Sequence, residues 1–281
     1  MTRSATAPAT VFVDADNTLW DTDSVFADAQ RNMLKRVEDA TGAVANVDDR
    51  LAYVRAVDQA IAERHHARLR YPPKLLVRGL EAALAGHPAD RAARAAWRST
   101  APNRLPDDRA DEIEQAFFVD LRHDPELRTG VREGLEALRA ANCMVLIVTE
   151  GPRAKVEETT KSLTLHNLIS RIIEGPKQPE LYQRVLRSMG APERAFMVGD
   201  QLDRDIAPAK AAGLKTIYFP GGFQPRWALD EAHVRPDHVI GTFAEVPDIV
   251  LAGGGPSAEG SRDRGECPES RSRSGGERRR H

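Results

Sequence analysis

Short apolar runs alternate with amphipathic segments through most of the chain, and this pattern predicts β-strands separated by helices. The predicted strands cover residues 10–13, 143–149, 171–174, 195–198, 215–219 and 238–240. The predicted helices that follow residue 125 cover 131–141, 153–163, 180–188 and 207–212. Such alternation is typical of parallel sheets with right-handed crossovers. The sequence therefore predicts an α/β fold with a Rossmann-like, doubly wound parallel sheet as its core.

A different pattern fills the stretch from Ser24 to about Leu121, where apolar residues recur only at helical spacing. Glycines at the ends of two periodic stretches and the Pro72-Pro73 pair at the start of another mark helix boundaries. The stretch is roughly as long as a small domain. We therefore predict an α/β core domain from residues 1–23 and 122–252, and an all-helical cap domain at 24–121.

The last segment, residues 253–281, is rich in Gly, Ser, Arg and Glu and has almost no apolar side chains, so we predict it to be disordered. Its arginines alternate with acids and no aromatic residue accompanies them, which does not favour nucleic-acid binding. The whole chain has a formal net charge of -2, which gives no field that would attract nucleic acid or a membrane.

The apolar stretches and the cysteines of the chain bear on its cellular compartment. No apolar stretch has the length of a signal peptide or a membrane span, so we expect a cytoplasmic protein. The two cysteines, Cys143 and Cys267, do not suggest a disulfide framework. The sequence leaves the oligomeric state unknown.

Carboxylates follow two of the predicted strands directly. Asp14 and Asp16 come after the first strand, and Asp200 and Asp205 come after the strand at 195–198. Ligands of open α/β sheets bind at the carboxyl ends of strands, and oxygen ligands suit a hard cation such as Mg²⁺. Structural roles such as helix caps explain a single aspartate better than they explain this set.

Two further side chains extend the set. Thr149 ends the strand at 143–149, and Lys177 lies in a proline-containing loop just before the helix at 180–188. An acid, a hydroxyl, a lysine and metal-binding carboxylates are together suited to phosphoryl transfer, which requires in-line attack and charge neutralisation.

These residues resemble the four motifs of the haloacid dehalogenase-like hydrolase superfamily, over residues 11 to about 241. The first motif is Asp-x-Asp-x-Thr after a strand, the second a Thr or Ser at a strand end, the third a lysine before Pro, and the fourth Gly-Asp-x4-Asp-Ile. In this chain they are Asp14 to Thr18, Thr149, Lys177 to Tyr182, and Gly199 to Ile206. Four motifs in the right order are far more specific than any one of them.

The resemblance implies a phosphatase with an aspartyl-phosphate intermediate. Asp14 would be the nucleophile and Asp16 the general acid and base. Thr149 and Lys177 would bind the phosphate of a small phosphorylated metabolite. The cap domain would exclude water and select that substrate.

The resemblance also implies a Mg²⁺ cofactor. Its ligands would be Asp14, the backbone carbonyl of Asp16, and Asp200. Asp205 would orient these ligands.

One position departs from the family pattern. Many members have Asn after the second-motif hydroxyl, whereas this chain has Glu150, an acid beside a site for an anion. Glu150 either points away, towards Arg153, or contacts a polar or cationic part of the substrate.

Three alternatives to the phosphatase remain open. A phosphomutase would keep every motif. A dehalogenase of the superfamily would need neither Mg²⁺ nor an acid at Asp16, so Asp16 argues against it. A non-catalytic regulatory binding protein on this fold is less compatible with intact acids at every motif.

Overall fold

A computed structural model describes residues 9–100, 104–230 and 232–252, so the predicted disordered segment and Cys267 lie outside the described residues. One six-stranded sheet forms the centre of the molecule, and its strand order is β3-β2-β1-β4-β5-β6 with every pair parallel. The strands are β1 (Thr10–Val13), β2 (Met144–Thr149), β3 (Arg171–Glu174), β4 (Ala195–Gly199), β5 (Lys215–Tyr218) and β6 (His238–Val239). The predicted Rossmann-like parallel sheet is confirmed, with strand ends that differ by at most one residue.

Ten α-helices accompany the sheet in the described part of the chain. They are α1 (Thr22–Thr41), α2 (Arg50–Arg64), α3 (Pro73–Leu84), α4 (Ala89–Trp97), α5 (Asp107–Asp120), α6 (Val131–Ala140), α7 (Arg153–Ser162), α8 (Pro179–Ser188), α9 (Ala207–Ala211) and α10 (Val246–Ala252). Short 3-10 turns occur at Arg68–Arg70 and Phe243–Glu245, and a π-helical turn at Leu202–Ile206 precedes α9. Asp21 caps α1 by accepting from the Ser24 amide, and Gly42 ends it at φ 70°, a value that favours glycine.

Both faces of the sheet are buried, because helices cover each of them. Val11 and Val13 belong to the apolar cluster beneath α6, α7 and α10, whereas Phe12 belongs to the cluster on the opposite face with Tyr182 of α8. This division follows from the alternation of side chains along a strand. Polar side chains of these strands that could act on a ligand therefore lie at the strand ends.

The five helices α1 to α5 pack around an apolar cluster of their own, which includes Met33, Val57, Leu80 and Phe117. We call residues 22–121 the helical insert. It leaves and rejoins the sheet region along two neighbouring segments, joined by a bridge between Trp20 and Leu127 and by a hydrogen bond of 2.8 Å from the Asp21 amide to the Glu126 carbonyl. The division of the chain into two domains stays a prediction.

No helix among the described residues combines the length and the apolar character that a bilayer span would require.

Candidate active site

The sheet topology brings the predicted acids together. β1 lies between β2 and β4, so the strand order reverses there, and the crevice at the carboxyl ends of such strands is the usual ligand site of an open α/β sheet. Val13 is in register with Val198, and the Asp14 amide donates to the Val198 carbonyl over 2.9 Å. Asp14 and Asp200 therefore leave neighbouring strands at the same edge.

Three buried carboxyl groups form a cluster at this edge. Asp14, Asp200 and Asp205 each offer an oxygen within 4.8 Å of the others. Lys177 reaches this cluster from the loop before α8, and its Nζ lies 2.5 Å from Asp14 Oδ1 and 2.6 Å from Asp205 Oδ1. One buried ammonium group faces three carboxyl groups, so the ionised cluster carries excess negative charge.

The pKa values of the cluster reflect this excess of negative charge. Burial raises the pKa of Asp14 to about 7, although the Lys177 ammonium opposes the shift. Burial, together with the charges of Asp205 and Asp14, raises the pKa of Asp200 well above its usual range. Burial alone would lower the pKa of Lys177, but the two carboxylates that it contacts raise it, so the lysine stays charged.

The donor set fits a hard divalent cation. Asp200 Oδ1 is buried and has no hydrogen-bond partner among the described residues, which is costly unless a cation binds there. Both oxygens of Asp205 are already used, since Oδ1 accepts from Lys177 and Oδ2 accepts from the Gln201 amide over 2.9 Å. The protein therefore engages the oxygens of Asp205 more fully than it engages Asp200 Oδ1.

Two glycines allow the loops to close around the acids. A Cβ atom at Gly199 would lie 2.3 Å from Asp205 Cβ, so the carboxyl group of Asp205 packs directly on the backbone there. A Cβ atom at Gly221 would lie 2.7 Å from Asp200 Oδ2. The motif predicted Gly199, whereas Gly221 carries no sequence signal beyond its type.

Asp16 does not join the carboxyl cluster. Its side chain is exposed, and its Oδ1 accepts from Trp20 Nε1 and from Thr22 Oγ1, each over 2.9 Å. The next residue, Asn17, has φ 56°, a left-handed value that turns the chain sharply after β1. Asp16 therefore faces the start of the helical insert, although its charge still contributes to raising the pKa of Asp14.

Thr149 lies at the end of β2, as its motif position predicted. The residue is buried, and its Oγ1 accepts from the Gly151 amide over 3.0 Å. Its carbonyl accepts from the Gly175 amide over 2.9 Å, which ties the end of β2 to the loop that carries Lys177.

Glu150 does not turn towards Arg153, the partner named as one alternative above. Its Oε2 pairs with Arg204 of the π-helical turn and lies 3.6 Å from Arg70 NH2 of the helical insert. Its Oε1 accepts from the Lys177 amide over 3.1 Å. The acid beside the site is thus neutralised by two arginines from different parts of the chain.

Arg128 is a residue of the site that the sequence did not suggest. Its guanidinium donates to the carbonyls of Asn17 (2.5 Å), Phe219 (3.1 Å) and Pro220 (2.6 Å). It also lies 3.4 Å from the centroid of the Phe219 ring. Burial lowers the pKa of Arg128, and the Asp200 and Asp21 carboxylates oppose this. Arg128 thus holds the first-motif loop against the loop that follows β5, and a lone arginine outside any motif gives no sequence signal for this role.

The family model of haloacid dehalogenase-like hydrolases matches residues 8–213 of this chain. Among curated proteins, a phosphoserine phosphatase of Thermus thermophilus is 28% identical over 145 residues, which cover 50% of this chain and 57% of the relative. A glyceraldehyde 3-phosphate phosphatase of Pyrococcus furiosus is 31% identical over 140 residues, which cover 47% of this chain and 55% of the relative. The matches thus span little more than half the length of these relatives.

Solved structures share the fold. A haloacid dehalogenase-like family hydrolase from Xanthomonas campestris superposes with a TM-score of 0.58 at 23% identity, covering 88% of this chain and 96% of that one. A HAD hydrolase from Bacillus subtilis, whose structure was determined with bound magnesium, gives a TM-score of 0.57 at 18% identity, covering 86% and 98%. These similarities confirm the α/β fold.

Proposed function

This chain belongs to the haloacid dehalogenase-like hydrolase family, and from that premise we propose that it is a Mg²⁺-dependent phosphatase of small phosphomonoesters. The observation that carries the proposal is the buried cluster of Asp14, Asp200 and Asp205 with one lysine at the switch point of the sheet. The named relatives that are phosphatases support the choice of reaction.

The first step is attack of the Asp14 carboxylate on phosphorus. A bond forms between the carboxylate oxygen and phosphorus while the bond from phosphorus to the leaving oxygen breaks. Asp16, in its protonated form, donates a proton to that oxygen and so releases an alcohol. Lys177 keeps Asp14 aligned through its contact of 2.5 Å and adds positive charge next to the phosphoryl oxygens.

The second step regenerates the enzyme. The Asp16 carboxylate accepts a proton from water, whose oxygen bonds to phosphorus as the bond to Asp14 breaks, and inorganic phosphate leaves. Trp20 and Thr22 hold Asp16 Oδ1, which leaves the other oxygen for proton transfer. Thr149, buried at the end of β2, would bind a phosphoryl oxygen.

Asp14, Asp200 and the backbone carbonyl of Asp16 would hold the Mg²⁺ ion, and Asp205 would orient them. A bound Mg²⁺ ion supplies charge neutralisation for the phosphoryl oxygens. The unpartnered Oδ1 of Asp200 and the magnesium in the Bacillus subtilis neighbour support this assignment.

A phosphate-release screen with Mg²⁺ tests the proposal. The panel comprises phosphoserine, phosphoglycolate, glyceraldehyde 3-phosphate, sugar phosphates and nucleotides, with haloacids as a separate arm. We expect phosphate release that stops with EDTA and is abolished by Asp14→Asn, whereas Asp203→Asn, an exposed aspartate in the same turn as Asp205, retains it. Full activity in the chelator, or in Asp14→Asn, would contradict the assignment.

A further inference from the structure

The ion-pair network of Glu150 connects the predicted phosphate site to the helical insert. Arg204 and the Lys177 amide hold the Glu150 carboxylate from the sheet side. Arg70 approaches the same carboxylate from the insert, with NH2 at 3.6 Å from Oε2. A cation of the insert therefore lies next to the loop that carries the predicted phosphate-binding residue Thr149.

Contacts on both sides fix the segment that presents Arg70. Tyr71 is buried, and its hydroxyl donates to Asp58, a buried acid of α2. Two residues before Arg70, the Arg68 guanidinium lies 5.2 Å from the ring centroid of Trp227, which follows β5. Arg70 is therefore held at this position by its neighbours, while its own side chain is 70% exposed.

Arg70 differs from the other basic residues near it, of which Arg68 lies against the Trp227 ring. Arg64, Lys74 and Arg78 each donate hydrogen bonds to carboxylates of the helical insert. The Arg70 guanidinium makes no hydrogen bond within the described part of the chain, and its one ion pair is longer than a hydrogen bond. Its donors are thus available to another anion.

We propose that Arg70 is a specificity-determining residue that binds a carboxylate of the substrate. Glu150, which Arg204 and the Lys177 amide hold from the other side, shows that a carboxylate fits beside this guanidinium. The inference rests on the proposed phosphatase function and adds to it a substrate class, small phosphorylated carboxylic acids.

The size of that acid follows from Lys177. Its Nζ contacts Asp14, the proposed nucleophile, while its backbone amide contacts Glu150. The phosphorus atom and the carboxylate would therefore be separated by about the length of one lysine side chain plus the reach to Arg70. A chain about as long as the lysine side chain therefore joins phosphate and carboxylate in a substrate that reaches both sites, whereas a two-carbon acid is too short.

Two non-hydrolysable ligands of nearly equal size isolate the contact. 6-Phosphonohexanoate carries a phosphonate and a carboxylate separated by five methylene groups, and 6-phosphonohexanamide replaces the carboxylate with a neutral amide. Isothermal titration calorimetry with Mg²⁺ measures both dissociation constants for the full chain. We expect 6-phosphonohexanoate to bind about tenfold more tightly than 6-phosphonohexanamide, since one charge-assisted hydrogen bond contributes that much. In Arg70→Gln the ratio of the two constants should fall to about one.

Matched variants separate specificity from a general effect. Arg70→Lys should give an intermediate ratio, because a lysine keeps the charge but loses the planar pair of donors. Glu150→Gln should raise the ratio, because the competing carboxylate is gone. Arg64→Gln, in the same basic run but paired with Asp90, should keep the wild-type ratio.

The outcomes distinguish the two proposals. If both ligands bind equally to the wild type, or if Arg70→Gln weakens both by the same factor, Arg70 only holds the insert in place and the specificity role is wrong. If neither ligand binds although the phosphate-release screen is positive, the substrate class is wrong and the proposed function stands, whereas a negative screen overturns both.

Discussion

Replacing Asp200 with asparagine should stabilise the metal-free protein, although it removes a residue of the proposed active site. Asp200 is buried beside Asp14 and Asp205, and its Oδ1 has no hydrogen-bond partner within the described chain. Among the described residues, Lys177 is the one cation in direct contact with this cluster of three carboxyl groups. Asparagine keeps the volume, removes one charge and adds an amide that can donate to a neighbouring carboxylate.

The magnitude follows from the geometry. Two charges separated by 4.8 Å, the limit within which the three carboxyl oxygens lie, repel each other by about 3 kcal/mol at an effective dielectric constant of about 20. Protonation limits the cost, since a carboxyl group that takes up a proton at pH 7 instead of ionising costs at most about 4 kcal/mol. We therefore expect a gain of about 1–4 kcal/mol in the free energy of unfolding, or roughly 2–4 °C in Tm per kcal/mol.

The pH dependence has a definite sign. Burial raises the pKa of Asp200 in the folded state, so the wild-type protein loses stability as the pH rises above the unfolded value of about 4. The asparagine variant lacks this loss. The difference in Tm between Asp200→Asn and the wild type should thus be small near pH 4 and widen towards pH 7.

Thermal unfolding in EDTA and in Mg²⁺ measures this effect. Mg²⁺ should stabilise the wild type, by about 2.7 kcal/mol at one hundred times its dissociation constant, and should stabilise Asp200→Asn much less. Asp203→Asn serves as the control, because Asp203 is exposed in the same turn. The reasoning would be refuted if Asp200→Asn were less stable than Asp203→Asn in EDTA at pH 7.

Three further predictions concern other parts of the molecule. Gly199→Ala should cost roughly 1–3 kcal/mol of stability in urea unfolding and displace Asp205, because the added Cβ would lie 2.3 Å from Asp205 Cβ. Asp120→Asn should cost about 1 kcal/mol at pH 7, and this cost should vanish as the pH falls, because the hydrogen bond from Arg36 lowers the pKa of Asp120. A chain that ends at Ala252 should keep its Tm and its turnover, because the removed residues have almost no apolar side chains.

Each of these predictions has its own control. Gly151→Ala adds a Cβ atom that meets Thr149 Oγ1 at 3.4 Å, an ordinary contact, so it should cost less than the change at Gly199. A double-mutant cycle with Arg36→Gln should assign the loss in Asp120→Asn to the ion pair, and additive losses would contradict that. A shortened chain with a Tm several degrees lower would show that the segment after Ala252 contacts the folded part.

The sheet and the acids were predictable because their signals are local. A buried parallel strand requires a short apolar run, and the chain must place Asp14 and Asp200 directly after such runs to bring them to one edge. Once a doubly wound parallel sheet is inferred, the carboxyl ends of β1 and β4 are expected at the same edge. The helix boundaries were predicted almost as well, since Gly42 and the Pro72-Pro73 pair act on the residues next to them.

The contacts that the sequence did not reveal join distant segments. Arg128 donates to the carbonyl of Asn17, which lies 111 positions earlier in the chain. Arg70 precedes Glu150 in the sequence and Arg204 follows it, and both approach the same carboxylate. Single arginines are common on surfaces, and nothing in their local pattern distinguishes one that crosses between segments. The unusual acid after the second motif was the one local sign of such a contact.

Lys177 has a local sequence signal and also contacts distant segments of the chain. Both facts affect how its variants should be interpreted. Its ammonium group pairs with Asp14 and Asp205, while its backbone amide holds Glu150, so a single residue fixes both the predicted phosphate site and the predicted specificity contact. A side-chain substitution removes the first contact but leaves the amide in place. Loss of activity in Lys177→Met with an unchanged preference for 6-phosphonohexanoate over 6-phosphonohexanamide would therefore show that the carboxylate contact depends on the loop backbone and on Arg70, independently of the charge on the lysine.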